Sequence, residues 1–138
     1  MTITIPESHK DLLEKPVAVT LCTVSSDCKP YASVVWRDFD GQYIRIVTSK
    51  DTRKFKNVQS NPYVTVLALD PQNPYRYLEI AGMVESTVDE GVMAVLDKLT
   101  MDYMGKAHYF GDVEPAEGAE KYRGVVLMIK PSRVVRLT

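Results

Sequence analysis

Val17-Ala18-Val19-Thr20-Leu21-Cys22-Thr23-Val24, Ser25-Ser26-Asp27-Cys28-Lys29-Pro30, Tyr31-Ala32-Ser33-Val34-Val35-Trp36-Arg37, Asp38-Phe39-Asp40-Gly41 and Tyr43-Ile44-Arg45-Ile46-Val47-Thr48 are three β-rich runs separated by two blocks of turn chemistry. Each run is too short and too rich in β-branched and aromatic residues for a helix, and Asp40-Gly41 is a hairpin signal. Three strands in a tight meander decide the fold class, and the flanking sequence extends the pattern. Tyr63 to Leu69 is a fourth, mostly apolar strand, and Tyr75 to Glu85 a fifth, interrupted at Gly82 where a bulge or bend is expected. Gly124 to Ile129, continued after Pro131 by Val134 to Leu137, is the sixth.

Helical period appears three times. Ser8 before Lys10-Asp11-Leu12-Leu13-Glu14 reads as a short capped helix that ends before Pro16. Ser49 to Ser60, with Phe55 and Val58 three apart among basic residues, reads as a short amphipathic helix stopped at Asn61-Pro62. Asp89 to Gly105 carries Val92, Val95, Leu96, Leu99 and Tyr103 at helical spacing, with Gly105 where a helix would end. Met93, Met101, Met104 and Tyr103 on this helix are read as packing residues. Lys106 to Tyr122 is expected to be a polar, acidic loop, and Asp70 to Pro74 an irregular one. The whole is a mainly β (α+β) chain: a six-stranded antiparallel barrel with short flanking helices.

At 138 residues, 45% of them hydrophobic, the chain is expected to form one domain over residues 1–138 and to bury a core without a metal or disulfide staple. The net charge of −1 leaves no overall basic footprint for nucleic acid or an anionic membrane, so an anion site has to be local. Met1-Thr2-Ile3-Thr4-Ile5-Pro6 has no basic region followed by an apolar core, and no apolar run approaches a membrane span, so a cytoplasmic location is the expectation. Cys22 and Cys28 are read as free thiols, because no further Cys/His pair completes a zinc site.

The sharpest electrostatic feature is Thr48-Ser49-Lys50-Asp51-Thr52-Arg53-Lys54-Phe55-Lys56-Asn57, with four cations and one acid between Lys50 and Lys56. A strand end, a hydroxyl-bearing turn and a helix start form an anion site when the first N–H groups and the helix dipole meet a negative charge. Arg53 adds a bidentate fork and Lys54 a point charge. A solvated basic face is the plainer alternative. Asn73-Pro74-Tyr75-Arg76-Tyr77-Leu78-Glu79 supplies flat aromatic faces and a guanidinium, suited to a ring or a phosphate, or to cross-strand packing. Trp36, the only tryptophan, is a pocket wall or a core residue. His9 and His108 lack partners at metal spacing, and no glycine-rich phosphate loop, nucleophile elbow or zinc motif occurs. No catalytic side chain and no metal ligand are therefore assigned, and any chemistry falls to a bound cofactor.

Four stretches resemble the pyridoxamine-5′-phosphate-oxidase-like split-barrel superfamily, and within it the F420-dependent flavin/deazaflavin oxidoreductases. They are Val19 to Pro30, Val34 to Gly41, Thr52 to Val64 and Asp70 to Gly82, and the similarity continues through Ile129 to Val134. Thr52 and Cys28 stand where the family usually has glycine, and Ser60-Asn61 replace a basic–acidic pair. The resemblance implies a six-stranded split barrel that dimerises with two cofactor sites at the subunit interface. It implies that Thr48, Ser49, Arg53, Lys54 and Asn57 hold the phosphate of FMN or coenzyme F420. It further implies that backbone near Trp36 and Ile46 borders the ring, and that Tyr75, Arg76 and Tyr77 approach from the partner subunit. The expected activity is hydride transfer to a small planar or unsaturated substrate. The alternative is a carrier of flavin, deazaflavin or haem without turnover.

Overall fold

The computed structural model describes residues 3–138; Met1 and Thr2, the first two residues of the opening segment, lie outside the described residues. Seven strands form one antiparallel sheet: β1 (Val19–Val24), β2 (Pro30–Val35), β3 (Asp38–Phe39), β4 (Ile44–Ser49), β5 (Tyr63–Asp70), β6 (Asn73–Val88) and β7 (Gly124–Leu137). Their order is β2-β1-β5-β6-β7-β4-β3, so β2 and β3 are the free edges of a curled half-barrel. The six expected strands are all present. The seventh, β3, is a two-residue rung on β4 (Asp38 opposite Arg45, Phe39 opposite Ile44) inside a segment read as a turn.

Two-residue alternation builds the core. Val19, Leu21 and Thr23 of β1 and Ile44, Ile46 and Thr48 of β4 are buried, while their neighbours face outward. Val19, Leu21, Ile44 and Ile46 form a single apolar cluster with Val66, Leu78, Ile80, Leu127 and Ile129. Gly82 lies where the β6–β7 register slips, and a Cβ there would meet Lys130 O at 2.9 Å. The expected bulge is therefore fixed by close backbone approach. Pro131 sits opposite Gly82 at the same irregularity, so β7 runs through the proline as one strand.

The N-terminal helix differs from expectation. A 3-10 turn (Glu7–His9) leads into α1 (Asp11–Glu14), and Ser8 does not cap it; its hydroxyl bonds His9 Nδ1 at 2.7 Å. Leu12 and Leu13 plug the barrel end, both 1% exposed. Two arginines tie the plug down. Arg76 donates to Asp11 (2.6 and 3.1 Å), to Asp70 (3.0 Å) and to Ser8 O (2.7 Å). The buried Arg37 donates through Nη2 to Leu12 O at 2.8 Å and to Lys15 O. His9, buried too, places Nε2 3.0 Å from Leu137 O, which joins the start of the chain to its end.

Two longer helices complete the fold: α2 (Arg53–Ser60) and α3 (Val92–Met104), the latter opened and closed by left-handed glycines, Gly91 and Gly105. Between α3 and β7 the expected loop contains a short helical turn, α4 (Tyr109–Asp112), and a 3-10 turn (Ala116–Lys121). The strand read through Arg37 stops at Val35. Cys28 occupies the left-handed region (φ 65°), the conformation that explains why glycine suits this turn. Both cysteines are free. Among the described residues no helix is long and apolar enough to cross a membrane.

β3 is held by charge. Asp38 accepts from Arg45 Nε and Nη2 at 2.9 and 2.6 Å and lies 3.3 Å from Lys98 Nζ of α3. Burial alone would raise the Asp38 carboxyl, but the two cations outweigh it and hold it below the usual range. A carboxyl depressed in the folded state stabilises above its unfolded value, about 3.9, and that contribution fades as pH falls toward the folded value. Asp38→Asn should therefore lower the melting temperature at pH near 7, with the gap from wild type closing below about pH 4. Melting curves across that range check this.

Candidate functional site

The outer face of β4 carries Arg45, Val47 and Ser49, the residues left over once Ile44, Ile46 and Thr48 go to the core. Val47 and Ser49 are two positions apart on that face, a separation of about 7 Å along a strand. The two parts of the site sit at these two residues.

At the Ser49 end, β4 turns into α2. Thr52 is the N-cap: its Oγ1 accepts from Phe55 N–H at 3.3 Å, donates to Ser49 O at 2.9 Å, and lies 2.9 Å from Thr48 Oγ1. Ser49 Oγ is shared with Asp51, accepting from its N–H and donating to its carboxylate, each at 3.2 Å. The cap leaves the backbone N–H groups of Arg53 and Lys54 without an acceptor among the described residues. Of the four cations, Lys50 is paired with Asp89 at 2.8 Å, and Asp51 is taken by Arg123 at 2.8 Å. Arg53, Lys54 and Lys56 have no carboxylate within 4.0 Å among the described residues, and Arg53 lies 5.9 Å over the Tyr31 ring. Free N–H groups beside uncompensated cations at a helix N-terminus fit an anion.

At the Val47 end is a cavity of about 310 Å³. Val34, Val35 and Trp36 wall it from the end of β2, Ala18 from before β1, and Leu96 and Leu99 from α3. Tyr109 and Tyr122, from the segment between α3 and β7, close it. No charged side chain lines it. Trp36 stacks on Tyr103 (centroids 5.4 Å apart, 12° between planes) and meets Tyr109 edge-on at 6.3 Å. Tyr103 is itself fixed: its hydroxyl accepts from Arg37 N–H at 3.2 Å and lies 2.8 Å from Arg37 O and 3.1 Å from Val17 O. Burial pushes the Tyr103 and Tyr122 phenols up, so both stay neutral beside the cavity.

Ser49 and Trp36 therefore border the outer face of β4, with Arg53 and Lys54 at the start of α2 just beyond Ser49, whereas Thr48 points to the core and touches the turn through Thr52 Oγ1 at 2.9 Å. Ile46 lies wholly in the core, so only its backbone borders this face. Asn57 is 2% exposed and donates through Nδ2 to Thr23 Oγ1 at 3.0 Å, which ties α2 to β1. Tyr75, Arg76 and Tyr77 lie at the far end of the sheet: Tyr77 pairs with Leu137, whereas Ser49 pairs with Gly124 at the opposite end of β7. Within one chain they do not reach α2, and the Arg76 guanidinium is engaged by two carboxylates. Sequence reasoning did not assign Tyr103, Tyr109 and Tyr122 to a pocket. Tyr103 was read as a packing residue of the long helix, and the signal of Tyr109 and Tyr122 was only the aromatic content of a polar stretch, which carries no period.

The sequence model of the pyridoxamine 5′-phosphate oxidase family matches residues 5–137. Among solved structures, an F420 reductase is 34% identical over 95% of this chain and 98% of its own, with a TM-score of 0.82. A conserved hypothetical protein from Mycobacterium tuberculosis is 21% identical (98% and 86% covered, TM-score 0.72). HutZ, the heme storage protein from Vibrio cholerae, is 14% identical (98% and 96% covered, TM-score 0.69). These last two share the fold. No curated protein was found to match the chain. With a family match spanning nearly all of its residues and a half-barrel to go with it, the chain belongs to the pyridoxamine 5′-phosphate oxidase family.

Proposed function

We propose that the protein is an oxidoreductase that binds coenzyme F420 or FMN and transfers hydride to a small, planar or unsaturated organic substrate. One observation carries this reading: Val47, which lines an uncharged aromatic cavity, and Ser49, which leads into the anion cradle at the start of α2, are two positions apart on the same face of one strand, about 7 Å along it. A molecule with a flat ring at one end and a phosphate at the other fits that pair. The cavity volume falls at the small end of ligand sites, enough for one ring system. The F420 reductase, at 34% identity, supports a flavin or deazaflavin in this place.

Each group of residues has its task in this reading. The N–H groups of Arg53 and Lys54 with their side chains bind the phosphate, and Thr48 and Thr52 hold the turn that aims them. Trp36, fixed by Tyr103, orients the ring, and the apolar walls exclude water. When bound, the ring supplies the hydride-accepting or hydride-donating atom, so no side-chain acid or base is required. Turnover distinguishes this from the carrier reading, to which the HutZ fold lends the haem variant. Neither histidine lines the cavity: His9 is buried against Leu137 O, and His108 pairs with Asp97 at 3.2 Å.

We also propose that a second copy covers the outer sheet face. Val34, Thr20, Leu67, Glu79 and Val135 form one cross-strand row, and Leu69, Tyr77 and Leu137 another. Val34 and Tyr75 are 74% and 73% exposed, and Tyr63 is 67% exposed. Large exposed apolar patches mark interfaces. Val34 belongs both to this face and to the cavity wall, so a partner seated there would also cap the cavity.

Lys54→Ala and Arg53→Ala should each weaken FMN or F420 binding about tenfold or more, while leaving riboflavin and the phosphate-free deazaflavin unchanged. Calorimetric titration of the purified protein with all four compounds checks this, and equal affinity for the phosphorylated and phosphate-free forms in wild type would sink the cradle. Val34→Glu should convert a dimer to a monomer in light scattering and lower cofactor affinity together with it. A monomeric wild-type protein with full affinity would remove the partner from the site.

A further inference from the structure

The β1–β2 hairpin and α2 flank another cavity, of about 330 Å³. Ser26, Lys29 and Tyr31 line it from the hairpin side, and Arg53, Lys56 and Ser60 from α2. Neither Lys54 nor any residue of the Trp36 cavity belongs to its walls. The α2 residues are spaced by three and four, so they share one stripe of the helix, while Phe55 and Val58 pack on the core. Both walls are held in place before any ligand arrives. Ser25 Oγ accepts from Lys29 N–H at 3.1 Å and donates to Asp27, and Cys28 N–H donates to Ser25 O at 2.9 Å, which fixes the turn. Asn57, on the same side of α2, is tied to Thr23 of β1. The cavity carries three cations and one acid in a chain of net charge −1. That acid, Asp27, is taken by Ser25 and lies 3.5 Å from Lys29. Arg53 and Lys56 have no carboxylate within 4.0 Å among the described residues. The Arg53 guanidinium, 5.9 Å over the Tyr31 ring, lies on this side of the helix, although its backbone N–H belongs to the cradle.

We propose that this cavity is a second anion site, separate from the cradle, that takes a small compound with two or three carboxylates, and that its occupant holds the Arg53 side chain away from the cradle. The donors are side chains on two facing walls, with no free helix N–H groups among them, so they suit charges spread over a short framework better than one compact phosphate. A single carboxylate would meet one exposed cation, an interaction that solvent and salt nearly cancel. Two or three on one framework meet Lys29, Arg53 and Lys56 together, and each contact after the first is intramolecular. Because Arg53 serves one site at a time, each ligand weakens the other, and the coupling is reciprocal. Binding in the cavity stands apart from the proposed function; only its effect on the cofactor rests on that reading.

The test is calorimetric titration of the full chain at constant ionic strength, with tricarballylate as the probe and propionate as the single-charge control. Wild type should bind tricarballylate at least about tenfold more tightly than propionate. Lys29→Ala, Arg53→Ala and Lys56→Ala should each weaken tricarballylate about three- to tenfold, whereas Lys54→Ala, outside the walls, should leave it unchanged. Tricarballylate should also raise the apparent Kd for FMN in wild type, and this antagonism should disappear in Lys29→Ala/Lys56→Ala. Lys29→Ala alone should bind FMN like wild type when no tricarballylate is present. Equal binding of tricarballylate and propionate, a loss in Lys54→Ala as large as that in Lys56→Ala, or antagonism that survives in the double lysine variant would overturn the proposal, the last because it would put the tricarboxylate in the cradle itself. The cofactor reading fails separately, through the comparison of FMN with riboflavin, and its failure leaves the direct titrations to decide the site.

Discussion

The two-residue period of β4 is the constraint on which the rest of the molecule depends. Ile44 and Ile46 belong to the core cluster and Thr48 is buried beside them, and removing them from water sets the register of the strand. Arg45, Val47 and Ser49 then have no choice but the outer face. Arg45 meets Asp38 and holds β3, Val47 floors the cavity, and Ser49 leads into the cap of α2. A slip of one residue would bury an arginine and a serine and would move the cavity floor to the wrong side of the sheet.

Around that face, rigidity comes from pairs that serve two elements at once. Tyr103 joins α3 to the end of β2 through Arg37 and at the same time backs the Trp36 ring. Thr52 caps α2 and closes the turn from β4 with a single hydroxyl that donates once and accepts from Phe55 N–H, with Thr48 Oγ1 beside it. Such groups fix geometry before any ligand arrives, which lowers the entropic cost of binding. The same logic applies at the far end, where Arg76 satisfies Asp11, Asp70 and a backbone carbonyl and so seats the leucine plug. That engagement gives Arg76 a structural task inside its own chain.

The outer sheet face follows from the same alternation and has a different fate. Rows of Val34, Leu67, Val135 and of Leu69, Tyr77, Leu137 are β-branched, aromatic and aliphatic residues on the side away from the core. A sheet that faces water on one side normally carries polar residues there. Here Glu79, Arg133 and Lys130 are charged residues amid largely apolar rows, which is the reason a second copy is proposed to cover it.

What the amino-acid order determined by itself is local. Short β-rich runs marked β1, β2, β4 and β5, Gly82 marked the bulge, and Lys50 to Lys56 marked the basic helix start, because each signal is complete within a few residues; that β5 buries one face and not both was decided by the fold. Other features needed the fold. Pro131 reads as a strand break, yet β7 passes through it because Gly82 yields a matching irregularity on the neighbouring strand. Ser8 reads as a cap, yet it turns to His9, which is anchored 128 positions away at Leu137. Tyr109 and Tyr122 read as aromatics in a polar stretch, yet they close the cavity beside Trp36. Contacts of this kind join residues 49 to 128 positions apart, and only tertiary packing, through shape and burial, decides which of them meet.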